Sequence, residues 1–245
     1  MKAGDRVAWT APHGSYAELV AVDAALAVKV PEGLDPAKAA SCLAQGMTAH
    51  YLSHSTYDIQ SGDNVLVHAG AGGVGLRLTQ MAAARGARVI TTVSSDQKAE
   101  LSSAAGAAHV LRYGPQLAHQ IRELTGGQGV EVAYDGVGAA TFRASLDATR
   151  VRGTVALFGA ASGPVPPLDP QELNAAGSLF LTRPTIGDYI RDRTELLWRA
   201  ESVLGGVQQG SLDIAIGGTY ALADAAEAHR DLQARKTTGA LVLIP

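Results

Sequence analysis

Short apolar runs recur along the middle of the chain, each bounded by turn residues and separated from the next by a stretch of helical period. The runs are Val65-Leu66-Val67, Arg88 to Val93, His109-Val110-Leu111, Val130 to Asp135 and Gly153 to Gly159, with a sixth at Ser178 to Thr182. Between them, apolar positions repeat at helical spacing over 76–84, 96–105, 116–124 and 140–148. Strands that are apolar on both faces belong in a parallel sheet covered by helices on each side. Alternation of strand and helix at this spacing predicts an α/β fold built on a doubly wound parallel sheet.

The flanks read differently. Met1 to Trp9 predicts a turn feeding a strand, Gly14 to Val22 alternates as a second strand would, and Ala27-Val28-Lys29-Val30 is a third that ends at Pro31. Three short strands make a β module too small to close a core by itself. Asp35 and Pro36 then open a helix over 35–40, a second helix is predicted over 46–52, and Gly62-Asp63 turns into the central strands. Past the sixth run come a long helix over 189–205, a strand at 218–222, a helix at 223–235 and a closing strand at 240–244. The N-terminal β module is the expected host for that last strand. Neither a repeat nor a low-complexity linker interrupts the pattern.

The chain has 245 residues, ample for a packed core, and its formal charge of −3 argues for a small-molecule ligand and against nucleic acid. With no apolar run long enough to span a bilayer and no signal-peptide layout, a cytoplasmic protein without membrane contact is expected. The single cysteine, Cys42, excludes an internal disulfide framework and a cysteine-ligated structural zinc within the chain. Its apolar neighbours favour burial as a small hydrophobe. His13, His50, His54, His68, His109, His119 and His229 show no H-E-x-x-H spacing, so no metal site is expected.

Candidate chemistry concentrates at His68 to Gly75, where Gly70, Gly72 and Gly75 fit G-x-G-x-x-G after a strand and before a helix. A strand that turns straight into a helix through small residues leaves the helix's first N–H groups facing open space, where a pyrophosphate can sit against the main chain. Gly70 and Gly73 suit turn conformations or close ligand approach, and Gly75 suits close packing of helix on sheet. The stretch predicts a dinucleotide site in a Rossmann fold. The second apolar run ends Val93-Ser94-Ser95, with Lys98 one helical turn later. Small polar groups and a cation suit the 2′-phosphate of NADP better than the 2′-hydroxyl of NAD. Lys98 also reads as an exposed helix lysine, and Asp96 as either a ribose carboxylate or a helix cap; NADP is preferred.

Five blocks, Lys2 to Val7, Gln45 to Leu52, His68 to Gly75, Tyr134 to Gly138 and Leu181 to Pro184, resemble in order and spacing the NADPH:quinone oxidoreductases of the zeta-crystallin type. These are zinc-independent medium-chain dehydrogenases/reductases, and the resemblance runs over essentially the whole chain. It implies a remnant of a GroES-like catalytic domain at 1–44, an NADP-binding Rossmann domain at 45–185, and a segment at 186–245 returning to the catalytic domain. It further implies NADPH-dependent reduction of quinones and a homodimer. Carried over, Thr48 approaches the nicotinamide end and Gly72, Gly73 and Val74 the pyrophosphate. Ser94, Ser95, Lys98 and Tyr113 surround the 2′-phosphate and adenosine, while Gly138, Phe158 and Gly159 line the nicotinamide pocket. No catalytic nucleophile or general acid is assigned, because the cofactor supplies the hydride and water can supply the proton. The apolar sixth run, at the sheet edge, is the expected dimer contact.

Members of this family carry a further stretch ahead of the segment that matches Lys2 to Val7, which supplies most of the GroES-like domain. The resemblance therefore implies a partial domain and a cleft short of one wall, with catalysis affected more than binding. Two other readings stay open. One is NADPH-dependent reduction of an enoyl or enone double bond, which needs a proton delivered to carbon; the other is non-catalytic NADPH binding.

Overall fold

The computed structural model describes residues 1–10, 14–234, 237 and 239–245. His13 and the predicted helix end at Arg235 lie outside the described residues. Two compact units emerge: residues 49–185 form one, and residues 1–48 with 186–245 form the other. An antiparallel pair, β1 (Val7–Ala8) with β2 (Val28–Lys29), precedes α1 (Pro36–Tyr51), which runs into a π-helical turn at Leu52–Thr56.

The central unit continues as β3 (Asn64–Val67), α2 (Gly73–Ala84), β4 (Arg88–Val93), α3 (Asp96–Ala104), β5 (His109–Arg112) and α4 (Leu117–Leu124). β6 (Val130–Asp135), α5 (Phe142–Ala148), β7 (Thr149–Leu157), α6 (Pro170–Ala175) and β8 (Phe180–Thr182) complete it. All its strands are parallel, in the order β5-β4-β3-β6-β7-β8. This is the doubly wound α/β sheet that the alternation predicts. β4 is buried from Val89 to Val93 because helices cover both its faces. Leu66, Ile90, Ile121, Ala133, Phe142 and Val155 belong to one continuous core. Strand order reverses between β3 and β6, the switch point outside which such sheets bind ligands.

The other unit closes with α7 (Ile186–Tyr189), α8 (Arg193–Gln209), β9 (Ile216–Ala221), α9 (Ala225–Gln233) and β10 (Ala240–Ile244). Here the structure departs from the sequence pattern several times. The helices expected over 35–40 and 46–52 are one helix, α1. Gly46 does not divide it, and its missing side chain is needed: a Cβ there would meet Val203 Cγ1 of α8 at 2.6 Å. Gly14 to Val22 forms no strand; Tyr16 is 61% and Leu19 91% exposed, so the alternation has no face to bury. The last strand does not join the N-terminal module. β10 lies parallel to β9, Val242 opposite Thr219, because α9 carries the chain back in the same direction as a βαβ crossover must. The helix expected over 189–205 is divided: the Asp192 carboxylate accepts the Thr194 and Glu195 N–H groups and starts α8 afresh. Among the described residues no helix is long and apolar enough to cross a membrane.

Candidate functional site

α2 begins inside the glycine stretch, at Gly73, with Gly72 as an extended N-cap. The Gly72 carbonyl accepts the Leu76 N–H at 2.9 Å. The N–H groups of Gly73, Val74 and Gly75 therefore stand at the open, positive end of the helix, without acceptors from its own turns. Side chains are kept out of the turn by contact: a Cβ on Gly75 would lie 2.2 Å from the Ala69 oxygen, and one on Gly70 2.5 Å from Thr91 Cβ. Of the two uses open to Gly70 and Gly73, neither takes a left-handed conformation. That falls to Ala69, at φ 53°. The Ala69 N–H donates to Tyr113 Oη at 3.0 Å, which ties the end of β5 to this turn.

Beyond β4 lie the exposed Ser94 and Ser95. Ser95 is the N-cap of α3, its Oγ accepting the Lys98 N–H at 3.4 Å, so Asp96 is not the cap. The Asp96 carboxylate is instead paired with Arg112 at the end of β5, where Arg112 sits opposite Val93 in the ladder. Lys98 Nζ lies 3.4 Å from Ser94 Oγ. Two cations and two hydroxyls thus flank the strand ends, one of the cations being the exposed partner of Asp96. Sequence reasoning missed Arg112; the only signal was its place next to Tyr113 at a strand end.

Past β6, Gly136 to Gly138 and the residues after β7 pack main chain against main chain. A Cβ on Gly159 would lie 2.4 Å from the Gly136 oxygen, one on Gly136 2.7 Å from Phe158 Cζ, and one on Gly138 2.7 Å from the Gly163 oxygen. Gly138 also has φ 90°. Beneath this turn Asp135 is fully buried and accepts the N–H groups of Val137 and Gly138 and the Thr141 hydroxyl. His68, also buried, is pushed down to about 4 by burial, against the pull of Asp135, and is held neutral.

Gly72, Gly73, Val74, Ser94, Ser95, Lys98, Tyr113, Gly138, Phe158 and Gly159 are therefore gathered at the C-terminal ends of β3 to β7. Thr48 lies in the other unit, on α1, its hydroxyl donating to the Ala44 oxygen at 2.8 Å. Among the described residues no group of three or more His, Cys, Asp or Glu side chains is placed to hold a metal ion.

Residues 73–196 match the zinc-binding dehydrogenase family. Over 246 aligned residues the chain is 42% identical to the quinone oxidoreductase of Pseudomonas aeruginosa, an alignment covering 100% of this chain and 76% of that protein. The chain belongs to the quinone oxidoreductase family. More fully, it is a medium-chain dehydrogenase/reductase of the zeta-crystallin type. The solved structure of Escherichia coli quinone oxidoreductase complexed with NADPH is similar at a TM-score of 0.96 and 38% identity, over 100% of this chain and 76% of that one. A mycobacterial protein complexed with NADPH is similar at a TM-score of 0.87 and 57% identity, over 91% of this chain and 70% of that one.

Proposed function

We propose that this member of the quinone oxidoreductase family binds NADPH along the C-terminal ends of β3 to β7 and uses it to reduce a quinone. The observation that carries the reading is the open N-terminus of α2 with Lys98 and Arg112 on its adenosine side. The N–H groups of Gly73 and Val74 offer neutral donors to a pyrophosphate, where the side-chain-free Gly72 lets it reach the main chain. The two cations and the hydroxyls of Ser94 and Ser95 match a 2′-phosphate dianion, with Arg112 exchanging its exposed Asp96 partner for the phosphate. Tyr113 borders the adenosine; Gly138, Phe158 and Gly159 line the nicotinamide side, and Thr48 is assigned to the same end by the resemblance.

Bound NADPH supplies the hydride. The chain's own task is to fix the cofactor's face and hold a flat acceptor beside it, with no protein nucleophile and no metal involved. A homodimer through β8 belongs to this reading, since that strand pairs only with β7 among the described residues and Phe180 is 64% exposed. The test is loss of NADPH absorbance with a set of quinones, with NADH and an enone in parallel. Quinone-dependent oxidation that prefers NADPH is expected. A saturated product from the enone with quinones inert would favour double-bond reduction, and saturable NADPH binding without turnover would favour a non-catalytic binder.

A further inference from the structure

An unbroken chain of side-chain hydrogen bonds runs through the interior of the 49–185 unit. Thr92 Oγ1 lies 2.9 Å from His68 Nδ1, His68 Nε2 lies 3.1 Å from Ser145 Oγ, and Ser145 Oγ donates to Asp135 Oδ2 at 2.8 Å. All four side chains are at most 1% exposed. The proton order follows from the valences. Ser145 has one hydroxyl proton, for which the Asp135 carboxylate at 2.8 Å is a nearer and stronger acceptor than the Thr141 carbonyl at 3.2 Å, so it accepts from His68 Nε2–H; the neutral ring's other nitrogen then accepts from Thr92. Nothing in the chain is left unpaired, which is the condition for such a network to rigidify an interior instead of destabilising it.

Its ends are what matter. His68 directly follows β3 and leads into the turn that opens α2, while Asp135 ends β6 and its other oxygen receives the Val137 and Gly138 N–H groups at 2.9 Å each. Ser145 of α5 is the joint between them. A fully satisfied, directional link of this kind is suited to fixing position. Resting on the NADPH reading above, we propose that His68 and Ser145 are positioning residues that lock the pyrophosphate-side turn and the nicotinamide-side turn into one register.

The experiment compares binding of NADPH with binding of 2′,5′-ADP, which lacks the nicotinamide half, to the whole chain and to its Ser145→Ala, His68→Leu and His68→Gln variants, with melting temperature followed in parallel. Ser145→Ala and His68→Leu are expected to weaken NADPH about tenfold, the size of one lost hydrogen bond, and to leave 2′,5′-ADP within about threefold. His68→Gln, which keeps an N–H for Ser145, is expected to recover most of the loss. Equal weakening of both ligands, or none of either, overturns the positioning role while the parent chain still binds both. A parent chain that binds neither ligand overturns the NADPH reading and this inference with it.

Discussion

At the scale of single residues, the Asp96–Arg112 pair is the informative one. Asp96 is wholly exposed and Arg112 is 42% exposed, so water screens the pair and Arg112 can exchange its carboxylate for a phosphate at little cost. Arg112→Ala and Lys98→Ala are each expected to raise the KM for NADPH about tenfold, through loss of one charge-assisted hydrogen bond, and to leave NADH unchanged. Steady-state kinetics with both cofactors checks this; an equal loss for NADH would take the two cations away from the phosphate. His68 carries a second prediction. Its folded value of about 4 lies below the ordinary 6.5, because burial disfavours the imidazolium. Between those values the unfolded chain binds a proton that the folded chain does not. Stability therefore falls as pH drops from about 6.5 towards 4, by a few kcal/mol in all. His68→Gln lacks this penalty, so thermal melts of parent and variant should draw together on acidification. A gap that stays constant with pH would contradict the buried neutral ring.

At the scale of elements, Gly46 shows how packing overrides a local signal. Gly46→Ala brings a methyl group against the branched side chain of Val203 and is expected to destabilise the chain by about 1–3 kcal/mol. An unchanged melting temperature would mean that α8 moves aside freely. The same contact explains why one helix reads as two, since a glycine in a helical run looks like a boundary until the neighbour that requires it is known. Strands β3, β4 and β6 were legible because burial on both faces leaves a continuous apolar run in the sequence, and the more exposed β5, β7 and β8 were legible from their regular alternation with helices. Gly14 to Val22 misled for the opposite reason, as alternation marks a strand only where some sheet accepts it. The turn into α2 was legible because strand, glycines and helix are contiguous. Arg112 and the link from His68 through Ser145 to Asp135 were not, because each depends on which distant segments become neighbours; the Ser95 cap is local, but Asp96 beside it is an equally good capping residue by sequence.

At the scale of the whole molecule, the outer edge of β8 bears on assembly. Phe180 is 64% exposed, an apolar residue on an edge strand of the kind that folded proteins cover. If a second copy covers it, Phe180→Glu is expected to convert a dimer into a monomer by sedimentation, with the NADPH affinity kept. A parent chain that already sediments as a monomer would remove this edge from consideration.

Strand order also governs how the sheet comes into being during synthesis. Val65 of β3 pairs with Val89 on one side and with Val132 on the other. A growing polypeptide can close the β3, β4 and β5 half as soon as Arg112 has left the ribosome, yet the second edge of β3 has no partner until β6 follows. Parallel pairing at such separation is slow, and an uncovered apolar edge invites foreign strands. The exposed edge thus waits on synthesis of the stretch from Arg112 to Val130, at a strand that will later lie in the interior of the sheet.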